Sequence, residues 1–126
     1  MKEFIYNWLN NSNVLYHPEL KVGKYYEIDD KFLYCNFQAL VDFVEIECSN
    51  AYEVYYDLQS LSKRNAAQGL AYLDILGDKY FKVVELYNWW KVREKDMDYY
   101  DSSDPSYKED TQKLIELMSI RQLLWT

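Results

Sequence analysis

The sequence predicts an all-α fold in which four to six helices pack around one central apolar helix. Glycine and proline occur only 3 and 2 times in 126 residues, so the chain has few of the residues that tight turns between short strands require. Apolar residues recur three and four positions apart in several segments, which is the spacing of one helix face. The length fits one core, so we expect a single helical domain over residues 1–126.

The first 30 residues are the least regular part of the chain. A short amino-terminal helix is predicted by apolar residues that share one face, namely Phe4, Ile5, Trp8 and Leu9. The helical period is then lost in a segment that carries Pro18 and Gly23. The pieces around Val14 and Tyr25 allow a short β-hairpin near residues 14–28.

The central helix is predicted between Asp30 and Cys48, with Asp29 or Asp30 capping its first turn. Most of its residues are apolar, and the polar ones form a single narrow stripe, made of Lys31, Gln38, Asp42, Glu45 and Ser49. A helix with so much apolar surface is expected to be surrounded on most sides.

The segment 51–77 fits either one helix with a loosened middle or two helices, and the sequence leaves both open. Gly77 is expected to end a helix and Asp78 to cap the next one. The next helix is expected to bury one face, made of Tyr80, Val83, Val84, Tyr87 and Trp90. Adjacent helical residues point about 100° apart, so Trp89 lies toward the flank. It either packs under the carboxyl-terminal helix or stays exposed for a partner.

An acidic loop is predicted over residues 96–107. Asp104 and Pro105 then form a cap and first turn, and the last helix continues to Trp125 with Leu117 on its apolar stripe. Between residues 96 and 110 six carboxylates face one lysine, so this segment holds most of the net charge of −7. The loop does not match a calcium-binding EF-hand, because Asp101 stands where glycine is required and Tyr107 where glutamate is required.

The net negative charge disfavours binding to nucleic acid or to anionic membranes. No segment has the roughly 18 uninterrupted apolar residues of a membrane span. The acidic loop and its neighbouring aromatics are instead candidates for contact with a protein partner, or for imitation of a phosphate backbone. The partner-binding candidates are Trp89, Tyr99, Tyr100, Asp96, Asp98, Asp101 and Asp104.

No catalytic constellation is evident, and no cofactor or metal is expected. The carboxylates of Asp42, Glu45, Asp74 and Glu85 fall on neighbouring helices, but the only histidine, His17, lies in an irregular segment, so these residues are interpreted as a polar seam. Cys35 and Cys48 lie in an apolar helix and are expected to be buried, reduced thiols.

Four segments resemble a small protein family of tailed bacteriophages: "FQALVDFVEIE" (37–47), "GLAYLD" (69–74), "LYNWWK" (86–91) and "DTQKLIELMSIRQLLWT" (110–126). The shared patterns are LYxWWK and DTxxLIxLMxIRxxLWT. The resemblance implies a phage origin and supplies no catalytic residues. We therefore expect a non-enzymatic phage accessory protein in the host cytoplasm that binds a host or phage macromolecule, as a host-takeover or anti-defence factor does. The alternatives are a virion or assembly component that forms homo-oligomers through aromatic surfaces, and an acidic mimic of nucleic acid.

Overall fold

The computed structural model describes residues 28–59, 64–96 and 105–124. Every regular element in these ranges is helical, which confirms the predicted all-α class. The predicted amino-terminal helix and the hairpin segment up to residue 27 lie outside the described residues. The chain divides into two compact units, Met1–Ala39 and Leu40–Thr126, and the division falls within helix α1 (Ile28–Asp42). In the first unit Leu33, Cys35 and Phe37 are buried.

The predicted central helix is present but changes its winding. The α-helical turns of α1 end at Asp42, a π-helical segment covers Phe43–Cys48, and helix α2 (Ser49–Tyr55) follows directly. The helix starts at Ile28, so Asp29 and Asp30 lie inside its first turn and not at the predicted cap. Because π-helical turns are rare and are frequent at functional sites, the residues of this segment are candidates for a functional site.

The segment 51–77 contains two helices, because α2 ends at Tyr55 and helix α3 (Ala66–Leu76) begins after Asn65. The side chain of Asn65 accepts a hydrogen bond from the backbone N–H of Gln68 at 3.1 Å, which satisfies one of the free donors of the first turn of α3. The backbone N–H of Asn65 donates to the carbonyl of Glu45 at 2.9 Å. This hydrogen bond fixes the start of α3 against the π-helical segment. Helix α3 packs against both that segment and α2.

Helix α2 ends in a Schellman motif that lacks the usual glycine. The Leu58 N–H donates to the Glu53 carbonyl at 2.8 Å, and the Asp57 N–H donates to the Val54 carbonyl at 3.1 Å. The left-handed position of this motif is occupied by Asp57, at φ 54°. Glycine adopts this conformation without steric cost, whereas other residues do so rarely.

We expect Asp57→Gly to raise the free energy of unfolding by about 0.5–1 kcal/mol, since it relieves the left-handed strain and removes an anion from the negative end of the helix. Asp57→Ala removes the same anion but increases the left-handed strain, because alanine tolerates this conformation less well than aspartate, so it is expected to lower stability. Urea unfolding of both variants checks this pair, and an equal shift for glycine and alanine would contradict it.

Gly77 separates α3 from the next helix, as predicted, with φ 96° and ψ −166°. This region of backbone space is essentially restricted to glycine. Asp78 makes no capping hydrogen bond, contrary to the prediction, and instead starts a 3-10 turn (Asp78–Tyr80) that leads into helix α4 (Phe81–Arg93). The predicted buried face of α4 is confirmed for Val83, Tyr87 and Trp90, whereas Tyr80 and Val84 are only half-buried.

Helix α5 (Pro105–Ser119) begins at the predicted proline, so the last three residues of the predicted acidic loop are helical. It lies antiparallel to α4, since Lys82 pairs with Glu116 and Arg93 pairs with Asp110. Beyond Ser119 the chain tightens into a 3-10 turn (Arg121–Leu124), and the predicted continuous helix to Trp125 is therefore wrong. Side chains compete for the last carbonyls, because the Ser119 hydroxyl donates to the carbonyl of Glu116 and the Arg121 guanidinium to that of Met118.

Candidate functional site

Glu45 is the centre of a group of charged and polar side chains that we call the Glu45 cluster: Asp42, Glu45, Arg64, Tyr87 and Lys91. The Tyr87 hydroxyl donates to Glu45 Oε2 at 2.6 Å, and the Arg64 guanidinium donates to Glu45 Oε1 at 3.2 Å. Arg64 also donates to Asp42 at 2.9 Å, and Lys91 Nζ lies 3.5 Å from Glu45 Oε2. The cluster joins the π-helical segment to α4 and to the residues before α3.

The environment of Glu45 keeps its carboxyl group ionised. Burial acts to raise its pKa, but the hydrogen bonds from Tyr87 and Arg64 and the positive charges of Lys91 and Arg64 outweigh burial, so the pKa lies below its ordinary value. Burial, followed by the hydrogen bond to Glu45, raises the pKa of the Tyr87 phenol. Tyr87 therefore remains a proton donor to Glu45 at neutral pH. The cluster is a saturated ion-pair network that holds helices together.

The structure brings together only two of the four carboxylates predicted to form a polar seam. Asp42 and Glu45 share Arg64, but Asp74 is exposed on α3, and Glu85 pairs with Lys82 three residues before it at 2.8 Å. Helical spacing placed Asp42 and Glu45 correctly on one face. Spacing cannot show how neighbouring helices rotate, and that rotation decides whether Asp74 and Glu85 reach the same place.

The described ranges contain no group of three or more His, Cys, Asp or Glu side chains that are arranged to hold a metal ion. His17 lies outside the described residues. Cys35 and Cys48 are both buried and make no disulfide, as predicted. Burial, with a smaller effect of the Glu47 carboxylate, raises the pKa of the Cys48 thiol to about 12, so this thiol is protonated at neutral pH.

Trp89 packs against helix α5, the first of the two places that the sequence allowed. Its indole Nε1 donates to Glu109 at 2.8 Å, and the ammonium of Lys113 lies 6.0 Å from the centre of its ring. Trp89 is half-buried, whereas its neighbour Trp90 is fully buried. These contacts give Trp89 a role in attaching α5 to α4.

Replacing Trp89 with alanine is expected to lower the free energy of unfolding by about 2 kcal/mol, because both the packing and the indole hydrogen bond are lost. Val92→Ala, on the same helix at a position that is 73% exposed, is the matched control and should have little effect. Urea unfolding followed by circular dichroism measures both. Equal stability of the two variants would show that the attachment does not depend on Trp89.

The remaining partner-binding candidates fall mainly outside the described residues. This applies to Asp98, Tyr99, Tyr100, Asp101 and Asp104. Asp96 ends a 3-10 turn (Glu94–Asp96) that continues from α4. The two carboxylates that follow in α5 are engaged, since Glu109 binds Trp89 and Asp110 forms two hydrogen bonds with Arg93 at 2.8 and 3.0 Å. The contact role of the acidic loop stays a prediction.

A different surface, at the end of α2, carries exposed apolar and aromatic side chains. We call it the α2-end surface: Tyr52, Val54, Tyr55, Tyr56 and Leu58. Val54 is 70% exposed, Tyr55 62% and Tyr56 50%. The ring of Tyr56 contacts that of Tyr52, with centroids 4.7 Å apart, and that of Tyr55, with centroids 4.9 Å apart. The end of α2 thus carries three tyrosine rings in contact, two of them exposed, together with the exposed side chains of Val54 and Leu58.

Sequence reasoning missed this surface because it depends on where α2 stops. The run "YEVYYDL" (52–58) shows a helical spacing of apolar residues, and such residues are normally expected to face a core. The helix ends at Tyr55 through Asp57, and no glycine or proline in the segment marks that end. The available signal was the excess of tyrosine itself, since tyrosine tolerates a half-wet position and is enriched at protein contacts.

No protein-family model, no curated protein and no solved structure matches the chain. Within the described ranges, no helix combines the length and the apolar character needed to cross a membrane.

Proposed function

We propose that the chain is a non-enzymatic protein that acts by binding another protein, and that the α2-end surface makes this contact. The observation that carries the proposal is the exposure of consecutive apolar and aromatic residues at one helix end. Isolated exposed apolar residues are common, but a contiguous patch on a small soluble domain is typical of an interaction site. Tyrosine also binds at a low entropic cost, because only two side-chain torsions become fixed.

The resemblance to tailed-bacteriophage proteins suggests in which cell the protein acts. We propose an accessory protein that is made in the infected cell, remains in the host cytoplasm and binds a host or phage protein. None of the four segments that carry the resemblance includes the end of α2. The charge of −7 is compatible with a basic partner surface.

A tagged pull-down from infected cells tests the proposal, with Tyr55→Ala/Tyr56→Ala as the test variant. We expect the unmodified protein to recover a defined partner in fixed stoichiometry and the double variant to recover at least about tenfold less, as is typical of aromatic anchor residues. Phe81→Ala is the matched control, since Phe81 is 68% exposed on α4 and lies outside the α2-end surface. Equal recovery by the double variant would overturn the role of this surface.

Infected cells and the particles purified from them also distinguish an accessory factor from a structural component of the virion. A virion or assembly component should appear in purified particles by mass spectrometry, and the isolated chain should form homo-oligomers that the double variant disrupts. An accessory factor should be absent from particles and should bind its partner as a minor cellular species. Capture of DNA-binding proteins that depends on residues 96–110, and not on Tyr55 and Tyr56, would instead favour the acidic mimic.

A further inference from the structure

Glu53 is a buried acidic residue with one carboxylate oxygen that lacks a hydrogen-bond partner among the described residues. Its side chain is on α2 and only 2% of the residue is exposed. Its Oε2 atom has no hydrogen-bond partner in the part of the chain that the structure describes. A buried polar oxygen without a partner is costly, and a carboxylate more so, which is why such groups in native proteins are normally paired.

The chain supplies no positive charge along this helix. Between Lys31 and Lys63 the sequence contains no lysine, arginine or histidine. Glu53 and Asp57 stand four residues apart at the carboxyl end of α2, where the helix dipole is also negative. Cations are the usual residues at such an end, so two carboxylates there produce a concentrated negative potential.

One tyrosine of the α2-end surface neighbours Glu53 on the helix surface. Tyr56 follows Glu53 by three residues, which places the two on neighbouring positions of one helix face, and Tyr52 contacts Tyr56 through its ring. Aromatic ring faces carry a negative electrostatic potential and attract ammonium and guanidinium groups. Val54 and Leu58 add exposed aliphatic surface, which suits the hydrocarbon stem of a long basic side chain.

We propose that the α2-end surface receives a lysine or arginine side chain of the protein partner, with Glu53 as its counter-ion and the rings of Tyr52 and Tyr56 as its wall. This inference rests on the proposed function and specifies the chemistry of the partner. Entry of the basic group requires Glu53 to turn toward the tyrosines, and pairing with the cation then supplies the partner that its Oε2 atom lacks. Asp57, at the same helix end, adds attraction from the rim.

Nuclear magnetic resonance titration of the full chain tests this, with N-acetyl-arginine amide as the probe and N-acetyl-citrulline amide as its neutral isostere. We expect saturable shifts of the ring protons of Tyr52, Tyr55 and Tyr56 with the arginine probe, and a dissociation constant at least about tenfold lower than with citrulline. Glu53→Gln should abolish this difference. Asp74→Asn, which removes one exposed negative charge from α3, should preserve it.

Equal shifts with both probes, no saturable shifts, or an unchanged preference in Glu53→Gln would each overturn the inference. If circular dichroism shows that Glu53→Gln is not folded, Tyr56→Leu serves in its place, because it keeps the carboxylate and removes the ring. If the pull-down loses the partner with Tyr55→Ala/Tyr56→Ala but keeps it with Glu53→Gln, the cation site is contradicted and the proposed function is supported. If both variants retain the partner, both the cation site and the role of the α2-end surface in the proposed function are contradicted.

Discussion

Replacing Gly69 with alanine is expected to lower the free energy of unfolding by about 3 kcal/mol, in the upper range for overpacking a close contact. Gly69 lies on α3 where this helix crosses the π-helical segment. A Cβ atom at this position would overlap the carbonyl oxygen of Val44 and stand 2.8 Å from its carbonyl carbon. These are backbone atoms, so no side-chain rotation relieves the overlap and one helix has to move.

The sign of this result separates packing from helix propensity. Propensity alone predicts that alanine stabilises the middle of a helix by up to about 1 kcal/mol relative to glycine. Ala67→Ser, which adds an atom on the exposed side of the same helix, is the control and should change stability by only about 0.5 kcal/mol. Urea unfolding measures both variants. A Gly69→Ala protein as stable as the parent would show that α3 does not approach Val44 this closely.

The close approach at Gly69 also explains why α3 docks where it does. The Asn65 N–H reaches the carbonyl of Glu45, and the Ser49 N–H turns to the carbonyl of Ile46, three residues before it. In a regular α-helix Ser49 would bond with Glu45, so the changed winding leaves that carbonyl to accept the hydrogen bond from Asn65. Ser49 is fully buried and its hydroxyl donates to the side-chain oxygen of Gln68 at 3.1 Å, which adds a polar link between α2 and α3.

The predictable part of the fold is the part governed by local rules. The spacing of Val83, Tyr87 and Trp90 identified the buried face of α4, and Gly77 and Pro105 marked true helix boundaries. Each of these signals is complete within one helical turn or one special backbone conformation. The sequence alone was therefore sufficient for the all-α class and for most of the helices after residue 64.

The elements that were not predicted depend on contacts between distant residues. The π-helical segment packs against α3, which begins eighteen positions after Cys48. Leu86, three residues before Trp89 on α4, is fully buried, and Trp89 is held by Glu109 of α5. The α2-end surface exists because Asp57 takes a left-handed conformation and ends α2 although it is not glycine. No local pattern encodes these three facts.

Glu45→Gln is expected to lower the free energy of unfolding by about 2–3 kcal/mol at pH 7, the second large effect. Glutamine keeps the shape of the side chain and can still accept from Tyr87, but it loses the charge that Arg64 and Lys91 face. Arg64 is 42% exposed and recovers hydration, so the cost stays below that of stranding a fully buried cation. Glu85→Gln removes an exposed pair with Lys82 and, as the matched control, should cost less than about 1 kcal/mol.

The pH dependence of stability gives this prediction a signature that simple loss of packing would not produce. The pKa of Glu45 is lowered in the folded protein below its ordinary 4.5, so near this pH the unfolded chain binds more protons than the folded one. Its stabilising contribution is complete above that pH and is lost as the pH falls toward the folded value. Glu116, whose pKa the hydrogen bond from Lys82 also lowers, titrates in the same window in both proteins, so the difference between parent and variant isolates Glu45. Urea unfolding between pH 7 and 3 should show the gap between parent and Glu45→Gln closing below about pH 4.5, and a gap that stays constant would mean that the charge of Glu45 does not stabilise the fold.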